Sequence, residues 1–428
     1  MVRFISFTYL FFGVVFFASA QHPEMVTQKK RLDFAKMYFE LGGNLIPSFT
    51  GYGMINNEIE AINNPASFSP YLNWGAFHFW GHAEFYVSIP LTQFNLSSSS
   101  DSDYELTNAV VTGFRYLPWA YKDQQLTPYM GLSWQGTEFK QIFGIETDQP
   151  TLSKDFGIMP EIGILYGYKG FTARLGASYS QNTQWNYPIS TNQFQKIETP
   201  DFALQLGILY AWENSHSKNK EVNKRWNAYP RVSNLNTGAT TEGDFFIAAG
   251  PSTSFSTESS GYNNSQLPYL QSQLTSELYF DLAVGYQSNS ADYFIVLSFR
   301  NPQFEASGYG TTQTIQKTSL AFEVCKFITD YTGFAPYIGL NMAYDHIQYS
   351  ENTNAHDIDT QSFEPGLTIG WDIVPGKVEE ALILRTNLRW YPFSSFEVEG
   401  ITFDFGQLEY NLIQAVFYPG RLIRSRRL

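Results

Sequence analysis

One strand pattern appears twice along this chain. Residues 128–132 read PYMGL and return at residues 336–340 as PYIGL, so that Tyr337 follows Tyr129 by 208 positions. The segments around the two motifs also align, with residues 83–94 matching residues 292–304. A repeat of this length indicates a duplicated module rather than a short solenoid unit. The sequence therefore predicts two similar halves, each built from strands.

Apolar and polar side chains alternate along many segments of 9–11 residues or more. From Phe202 to Trp212 the apolar side chains fall on one face, and Ala203, Gln205 and Gly207 fall on the other. In residues 407–418 the same alternation predicts Leu408, Tyr410, Leu412, Val416 and Tyr418 on the outward face. A strand that crosses an outer membrane needs about 9–11 residues with this alternation.

Sixteen such segments can be marked. They are 37–49, 72–81, 82–92, 103–118, 127–141, 156–169, 171–181, 201–212, 244–257, 277–288, 292–304, 317–329, 335–350, 362–374, 380–391 and 404–418. Connections after odd-numbered strands are long, and most connections after even-numbered strands are short. This parity is typical of bacterial outer-membrane barrels, which have long extracellular loops and short periplasmic turns.

The first twenty residues predict the compartment. Arg3, the apolar stretch 4–17 and the Ala18-Ser19-Ala20 cleavage site form a secretory signal peptide. No later apolar run is long enough for a helical span. With 17% aromatic and only 16% charged residues, the composition suits lipid-facing strands. We expect an outer-membrane protein, with Trp119, Trp212 and Tyr418 in a periplasmic aromatic belt and Trp185, Trp390 and Tyr391 in an outer one.

Each half resembles the small OmpA/OmpX-like outer-membrane barrels of Gram-negative bacteria. The resemblance rests on the Pro-Tyr-x-Gly strands at 128–131 and 336–339 and on the glycine-punctuated strands that follow them (Gly163, Gly167, Gly366 and Gly370). The arginine-bearing strands at 172–175 and 384–391 complete it. The resemblance implies an all-β, transmembrane antiparallel barrel module, duplicated in tandem. The chain departs from the family's pattern where residues 419–428 follow the expected terminal aromatic.

Sixteen strands close either as one porin-sized barrel or as two barrels of eight. The connection 213–242 is about thirty residues where a turn should be short, which favours two barrels. The predicted organisation is a signal peptide at 1–20, a first eight-strand barrel at 21–212, a periplasmic linker at 213–242, a second eight-strand barrel at 243–420 and a basic tail at 421–428. Single barrels are far commoner than tandem ones, so the one-barrel alternative stays open.

Charged residues at predicted inward positions define a candidate lumen network. Its members are Glu84, Glu105, Arg115, Glu161, Arg174, Glu323, Asp345, Asp372, Arg385, Arg389 and Glu409, with Glu40, Asp281 and Arg300 at further inward positions. Charges at membrane depth must be paired or hydrated. Two roles are consistent with them: a structural ion-pair network that fills each lumen, or a gate along a permeation path.

Other candidate sites are weaker. Residues 345–359 are rich in oxygen and imidazole ligands, but their spacing matches no metal loop. His78 and His82 share a strand face near Ser88, but no nucleophile motif surrounds them, so we expect no enzyme, metal or cofactor. Basic residues occupy the linker (Lys218, Lys220, Lys224, Arg225 and Arg231) and the tail (Arg421, Arg424, Arg426 and Arg427), where lipid headgroups or a periplasmic protein would meet them.

Two functions follow from these features. The first is porin-like passage of small polar solutes. The alternative is a non-conducting, membrane-anchored barrel whose extracellular loops bind a surface ligand or partner protein. Expected partners are outer-membrane lipid and the barrel assembly machinery, and a periplasmic or surface protein is a further candidate. The net charge of −13 argues against nucleic-acid binding.

Overall fold

The computed structural model describes residues 34–55, 58–78, 81–96, 102–143, 148–181, 183–213, 243–271, 273–288, 292–328, 334–353, 356–373 and 381–425. The predicted signal peptide and nearly all of the predicted linker lie outside the described residues. Strands dominate these ranges. Their only helices are two short ones, α1 (Gly261–Gln266) and α2 (Pro419–Ser425).

Strands β1 to β14 form the first half. They are β1 (Phe34–Ile46), β2 (Phe49–Ile55), β3 (Glu58–Asn64), β4 (Ser67–His78), β5 (Ala83–Pro90), β6 (Phe94–Asn95), β7 (Ser102–Asn108), β8 (Val111–Tyr116), β9 (Leu126–Phe143), β10 (Leu152–Tyr168), β11 (Phe171–Tyr179), β12 (Gln184–Ser190), β13 (Gln193–Glu198) and β14 (Phe202–Glu213). Eight of these, in the order β1-β14-β11-β10-β9-β8-β5-β4, close into an antiparallel barrel because β4 pairs again with β1.

Strands β15 to β25 form the second half. They are β15 (Asp244–Ser256), β16 (Tyr279–Ser288), β17 (Tyr293–Arg300), β18 (Gln303–Gly308), β19 (Thr311–Phe327), β20 (Phe334–Glu351), β21 (His356–Ile373), β22 (Leu382–Tyr391), β23 (Ser395–Val398), β24 (Ile401–Asp404) and β25 (Gln407–Phe417). The order β15-β16-β17-β19-β20-β21-β22-β25 closes when β25 pairs with β15. The chain therefore forms two eight-strand barrels, and the fold class expected from the sequence is confirmed.

The outside of both barrels is apolar. Leu41, Ile162 and Ile208 in the first barrel and Phe245, Phe280 and Leu340 in the second are at least half exposed. Exposed apolar side chains on a closed barrel are the mark of a surface that faces lipid, since closure leaves no unpaired strand edge. Among the described residues, no helix is both long and apolar enough to cross a membrane.

The long connections lie together at one end of each barrel, called here the outer end. Two-stranded hairpins β2–β3 and β12–β13 extend the first barrel there, and the hairpin β23–β24 and helix α1 extend the second. The predicted strand 103–118 is in fact two strands, β7 and β8, separated at Ala109 and Val110. Strand β7 pairs with the outer half of β9, whereas β8 pairs with its inner half.

A bulge in β25 changes which residues face the lumen. Asn411 pairs with Ser252, and Ala415 pairs with Ala249. Between these two pairs, β25 therefore contains one residue more than β15. An extra residue turns every later side chain to the opposite face. Val416 and Tyr418 therefore point inward into a buried cluster with Phe246. The predicted outward placement of these two residues is wrong.

Two other predicted belt residues are also buried. Tyr391 is 0% exposed and lies in the second lumen, and Trp185 is 2% exposed within the hairpin β12–β13. Trp119 and Trp390 remain exposed, as lipid-facing aromatic residues should be. At a strand end, only the side chains at outward-facing positions reach the lipid. Tyr391 occupies an inward-facing position.

The two barrels touch each other through their outward faces. A cluster of buried side chains joins Val110 and Trp134 of the first barrel to Phe255, Trp371 and Tyr410 of the second. At the outer end, the backbone amide of Tyr309 donates to the carbonyl oxygen of Asp148 at 2.8 Å, and the Tyr309 hydroxyl donates to the carbonyl oxygen of Pro188 at 3.0 Å. The contact therefore runs from the strand walls to the outer connections.

Candidate functional site: the filled lumens

The first lumen is filled in layers. Its inner end holds an apolar and aromatic cluster that includes Tyr38, Phe77, Tyr121 and Leu209. Phe77 and Tyr121 stack with ring centroids 4.5 Å apart and planes at 3°. Small residues on neighbouring strands make room for such rings, since eight strands enclose little space. This layer leaves the inner mouth closed by side chains.

Five buried charges form the middle layer of the first lumen. The Arg115 guanidinium lies 3.0 Å from a Glu84 oxygen and 2.8 Å from a Glu161 oxygen. The Arg174 guanidinium lies 2.9 Å from Glu40 and 2.6 Å from Glu84. Glu84 therefore bridges the two arginines, and all five side chains are at most 3% exposed. Planar guanidinium groups suit this arrangement because each can serve two carboxylates.

Tyrosine hydroxyls complete the coordination of these carboxylates. Tyr38 donates to Glu84, and Tyr86 donates to Glu161 at 2.5 Å. The Tyr86 ring also lies under the Arg115 guanidinium at 3.7 Å. A buried charge is tolerated when it is both paired and hydrogen-bonded. These tyrosines donate to the carboxylates and so add hydrogen bonds to those of the ion pairs.

An aromatic cluster closes the outer end of the first barrel. Phe49, Tyr104, Phe139 and Trp185 pack together with Tyr187, and all are at most 9% exposed. The Tyr104 hydroxyl donates to Ser67 Oγ at 2.8 Å. Burial raises the pKa of Tyr104 to about 12, partly offset by the bond to Ser67. The hairpins β2–β3 and β12–β13 thus form a packed lid.

The second lumen holds a larger set of charges. Nearest the inner end, the Arg385 guanidinium pairs with both oxygens of Asp372 at 2.7 and 2.8 Å. Above it, Arg389 contacts Asp281 and lies 2.8 Å from Glu323. Aromatic rings pack around the inner pair, with the Arg385 guanidinium 4.0 Å from the Phe294 centroid. Arg385 is therefore paired with its direct neighbour on the adjacent strand, and Arg389 is paired with carboxylates of more distant strands.

A third charged layer lies closer to the outer end of the second barrel. Lys317 Nζ is 2.8 Å from Asp345 and 3.0 Å from Glu409, and Arg300 pairs with the same Glu409. The Tyr391 hydroxyl accepts a hydrogen bond from Arg300 at 3.0 Å. All of these side chains are fully buried. An apolar lid that includes Tyr262, Phe304, Phe403 and Phe405 covers the layer.

The two halves place their repeated motif equivalently. Tyr129 lies on β9 and Tyr337 on β20, the fifth wall strand of each barrel in chain order. Each ring packs over a glycine directly opposite on the next strand, Gly163 and Gly370 respectively. A side chain on either glycine would collide with the tyrosine ring. The Pro-Tyr-x-Gly signature therefore marks a ring-and-glycine pair that fills the lumen.

The structure brings together most of the predicted network. Ten of the eleven predicted members are buried in the lumens, together with Glu40, Asp281 and Arg300. Glu105 is the exception: it lies exposed on β7, which is not a wall strand of the barrel. That prediction was wrong because one continuous strand was assumed over 103–118. Lys317 was missed because it stood at the boundary of a predicted strand, although its inward parity with Ser319 and Glu323 would have indicated it.

The predicted basic tail is partly a closing element of the second barrel. Arg421 on α2 is 2% exposed, and its guanidinium lies 3.0 Å from Asp244 at the start of β15. It also stacks 3.7 Å over the Tyr418 ring. Arg421 is therefore engaged inside the protein rather than free for a lipid headgroup. The basic linker residues 218–231 and the last three residues lie outside the described residues.

The remaining candidates do not assemble into sites. His82 lies in the turn before β5 and Ser88 near that strand's other end, six residues or about 20 Å apart at 3.3 Å per residue. His346 and Asp359 pair at 2.8 Å on the exposed hairpin β20–β21, and the hydrogen bond from His346 lowers the pKa of Asp359. Among the described residues, no three His, Cys, Asp or Glu side chains are grouped to hold a metal ion.

The chain is distantly similar to several proteins of known structure. No family model and no curated protein matches this chain. Among solved structures, Neisserial surface protein A is 12% identical over 40% of this chain and 96% of its own, with a TM-score of 0.29. Ail, the attachment invasion locus protein of Yersinia pestis, is 13% identical over 41% of this chain and 98% of its own, with a TM-score of 0.28. OmpT of Vibrio cholerae is 9% identical over 90% and 99% respectively, with a TM-score of 0.16. At these identities and TM-scores, none of the similarities bears on what this chain does.

Proposed function

We propose that this protein is a non-conducting pair of outer-membrane barrels whose outer connections bind a positively charged ligand or partner at the cell surface. The observation that carries the proposal is the filling of both lumens. In each barrel, buried arginine–carboxylate layers lie between an inner aromatic cluster and an outer lid. This arrangement favours the second of the two functions expected from the sequence.

The free space in the first lumen supports a closed barrel. Its polar cavity has a volume of ≈ 40 Å³. One water needs about 10–15 Å³ of such space, so the cavity has room for about three water-sized species and for no larger solute of the kind that a porin passes. Porin-like passage, the other expectation, would require Arg115 and Arg174 to leave their carboxylates. Breaking a buried pair costs about 3–5 kcal/mol, which argues against a permanently open path.

The outer connections supply the chemistry of the proposed surface. They comprise residues 47–66, 91–110, 144–151, 180–201, 257–278, 301–310, 352–355 and 392–406, with fifteen Asp or Glu residues but only one Lys. The connections at the other end, including the linker and tail, have twelve Lys or Arg and seven Asp or Glu. A surface of one sign attracts ligands of the opposite sign and speeds their encounter. We therefore infer a cationic partner on the outer side.

The outer connections also have enough structure to present a defined surface. The hairpins β2–β3, β12–β13 and β23–β24 are paired along their lengths, and each packs into a lid cluster. Binding residues are often displayed on loops that a rigid scaffold positions. The equivalent Tyr129 and Tyr337 positions further support the proposal that the scaffold arose by duplication of one eight-strand module.

Two measurements test the proposed function. In planar bilayers, the purified full chain should give no conductance steps above background. In nanodiscs, it should bind a polylysine peptide at low salt and release it as salt rises, because exposed charges are screened. A variant with Glu397→Gln, Glu399→Gln and Asp404→Asn should bind more weakly, while a polyglutamate peptide should not bind at all. Stable, solute-sized conductance or indifference to peptide charge would contradict the proposal.

A further inference from the structure

The polar cavity of the first barrel has an unusual lining. It lies on the outer side of the ion-pair layer, and Arg115 and Glu161 form part of its wall. Most of the remaining wall consists of amides and hydroxyls, including Asn44, Ser69, Asn73, Ser88, Ser133 and Gln205. Such groups offer oxygen atoms to a water or to a hard cation. The cavity is thus a part of this lumen where a small polar species fits.

The charges beside this cavity do not balance. Among the described residues of the first barrel, the buried Asp, Glu, Lys and Arg side chains are three glutamates and two arginines: Glu40, Glu84, Glu161, Arg115 and Arg174. Their formal sum is one negative charge. An uncompensated charge in a barrel interior is expensive. The inward-facing Lys36 lies at the inner mouth, with Nζ 5.2 Å from the Tyr121 ring centroid, and not in the layer. The layer itself therefore lacks one positive charge.

Two amide oxygens in the cavity wall lack a protein partner. Asn73 is 1% exposed, and its Oδ1 accepts no hydrogen bond from any described residue; the same holds for the buried Oδ1 of Asn44. Asn73 lies directly opposite Glu40 on β1 and Ser88 on β5. A buried acceptor that is left unsatisfied destabilises the folded state. These oxygens indicate a bound species that either coordinates them or donates to them.

We propose that the cavity holds one monovalent metal cation, Na⁺ or an ion of the same charge, next to the ion-pair layer. A single charge balances the layer, whereas a divalent ion would overshoot and usually recruits several free carboxylates. Asn44 and Asn73 lie about four residues apart along the wall, or roughly 13 Å at 3.3 Å per residue. The ion therefore keeps part of its water shell, with Asn73 as the direct ligand and waters bridging to Asn44.

The test compares ions of equal charge and different size. The full-length protein in detergent micelles is heated in NaCl or in N-methylglucamine chloride at the same ionic strength, and unfolding is followed by gel mobility. A ligand that binds only the folded state raises its stability, so the unfolding temperature should be higher in NaCl. Broadening of the ²³Na resonance by the folded protein, removed on unfolding, gives an independent readout of the ion.

Two variants distinguish a bound cation from a protonated carboxyl group. Glu40→Gln makes the layer formally neutral without changing its volume, and Asn73→Leu removes the ligand; each should abolish the difference between NaCl and N-methylglucamine chloride. Asn263→Leu, at a buried asparagine of the second barrel whose amide is hydrogen-bonded to Gln271 and Gln313, is the matched control and should retain it. Equal unfolding temperatures and no ²³Na broadening for the unaltered protein would overturn the proposal and assign the missing charge to a proton. Persistence of the sodium effect in Glu40→Gln would overturn it as well.

Discussion

Trp134 of the first barrel lies edge-on against Trp371 of the second, with ring centroids 5.8 Å apart and planes at 86°. Both indoles sit on outward parity, where a lone barrel would present them to lipid. Nearby, Phe85 and Phe334 stack at 5.2 Å. Inside a bilayer such contacts gain from close packing rather than from the hydrophobic effect, since lipid tails are equally apolar. The barrels therefore meet through interlocking aromatic surfaces.

Thiol cross-linking should detect this contact. In a Cys325→Ala background, the pair Phe85→Cys and Phe334→Cys should react with a short bifunctional maleimide and alter the mobility of the unfolded chain on gels. The pair Phe85→Cys and Phe363→Cys serves as the control, because Phe363 is 71% exposed on the second barrel. Equal cross-linking of both pairs would mean that the barrels move freely relative to each other.

Each half should also fold on its own, and the two folded halves should then associate. Residues 21–212 and 243–428, each expressed behind a signal peptide, contain one complete set of eight wall strands and leave no open edge. We expect each half to insert, resist protease and co-purify with the other when both are present. Trp371→Ala in the second half should reduce co-purification, whereas Trp390→Ala, on a lipid-exposed side chain, should not. Aggregation of both isolated halves would contradict separate closure.

The ion-pair layer should govern the stability of the first barrel. Arg174→Met leaves Glu40 without its cationic partner and leaves Glu84 with Arg115 alone. Breaking a buried pair in this way costs about 3–5 kcal/mol. The heat-induced gel shift should therefore occur at a lower temperature. The double variant Arg174→Met with Glu40→Met should recover much of the loss, because Glu40 is no longer an unpaired charge and Glu84 keeps its pair with Arg115. Lys196→Met, at an exposed lysine, should have little effect.

The contact between Arg421 and Asp244 should hold the inner seam of the second barrel. Arg421→Ala removes an ion pair at 3.0 Å and a stacking contact with Tyr418. Amide hydrogens at the start of β15 should then exchange faster, as measured by mass spectrometry. Arg421→Lys keeps the charge but not the planar stack, so it should show an intermediate effect. Unchanged exchange in Arg421→Ala would show that the seam is held by the strand ladder alone.

The Tyr104 hydroxyl should ionise at a higher pH than an ordinary tyrosine. Its pKa of about 12, raised by burial in the lid, exceeds the ordinary value of 10. Because the unfolded chain ionises first, the stability contributed by this group is complete below pH 10 and declines as the pH rises through about 12. The difference in phenolate absorbance between the unaltered protein and Tyr104→Phe measures the titration. A midpoint near 10 would mean that the lid is open in solution.

Much of the fold could be predicted from the sequence because the strand period is local. Sixteen wall strands and the inward parity of Arg115, Arg174, Arg385 and Arg389 follow from alternation and loop length. The long connection 213–242 favoured closure as two sets of eight but did not decide it. A period of two is readable wherever one face meets lipid. Glu84 and Asp372 lie directly opposite Arg115 and Arg385 on neighbouring strands. The other partners were not readable, because they depend on which strands meet across the lumen.

Other features arise from a strand break, a bulge and a contact between the barrels, none of which a regular alternation of apolar and polar residues indicates. The break at Ala109 and Val110 moved Glu105 out of the barrel, and the bulge in β25 turned Tyr418 inward. The contact between Trp134 and Trp371 was also invisible, since an outward tryptophan looks the same whether it meets lipid or protein. The positions of these residues depend on how strands and barrels pair in the folded protein. Alternation in the sequence indicates only which face of a strand a side chain lies on.

The bulge in β25 divides that strand into two phases. On one side of it, even-numbered positions such as Tyr410 and Leu412 face away from the lumen; on the other, even-numbered Val416 and Tyr418 face into it. Deleting a single residue within 412–414 would restore a uniform phase and exchange the faces of the last stretch, driving Val416 and Tyr418 into lipid. Deleting one residue in a turn of this protein shortens only a loop. Deleting one residue in the bulge changes which side chains of β25 face the membrane lipid.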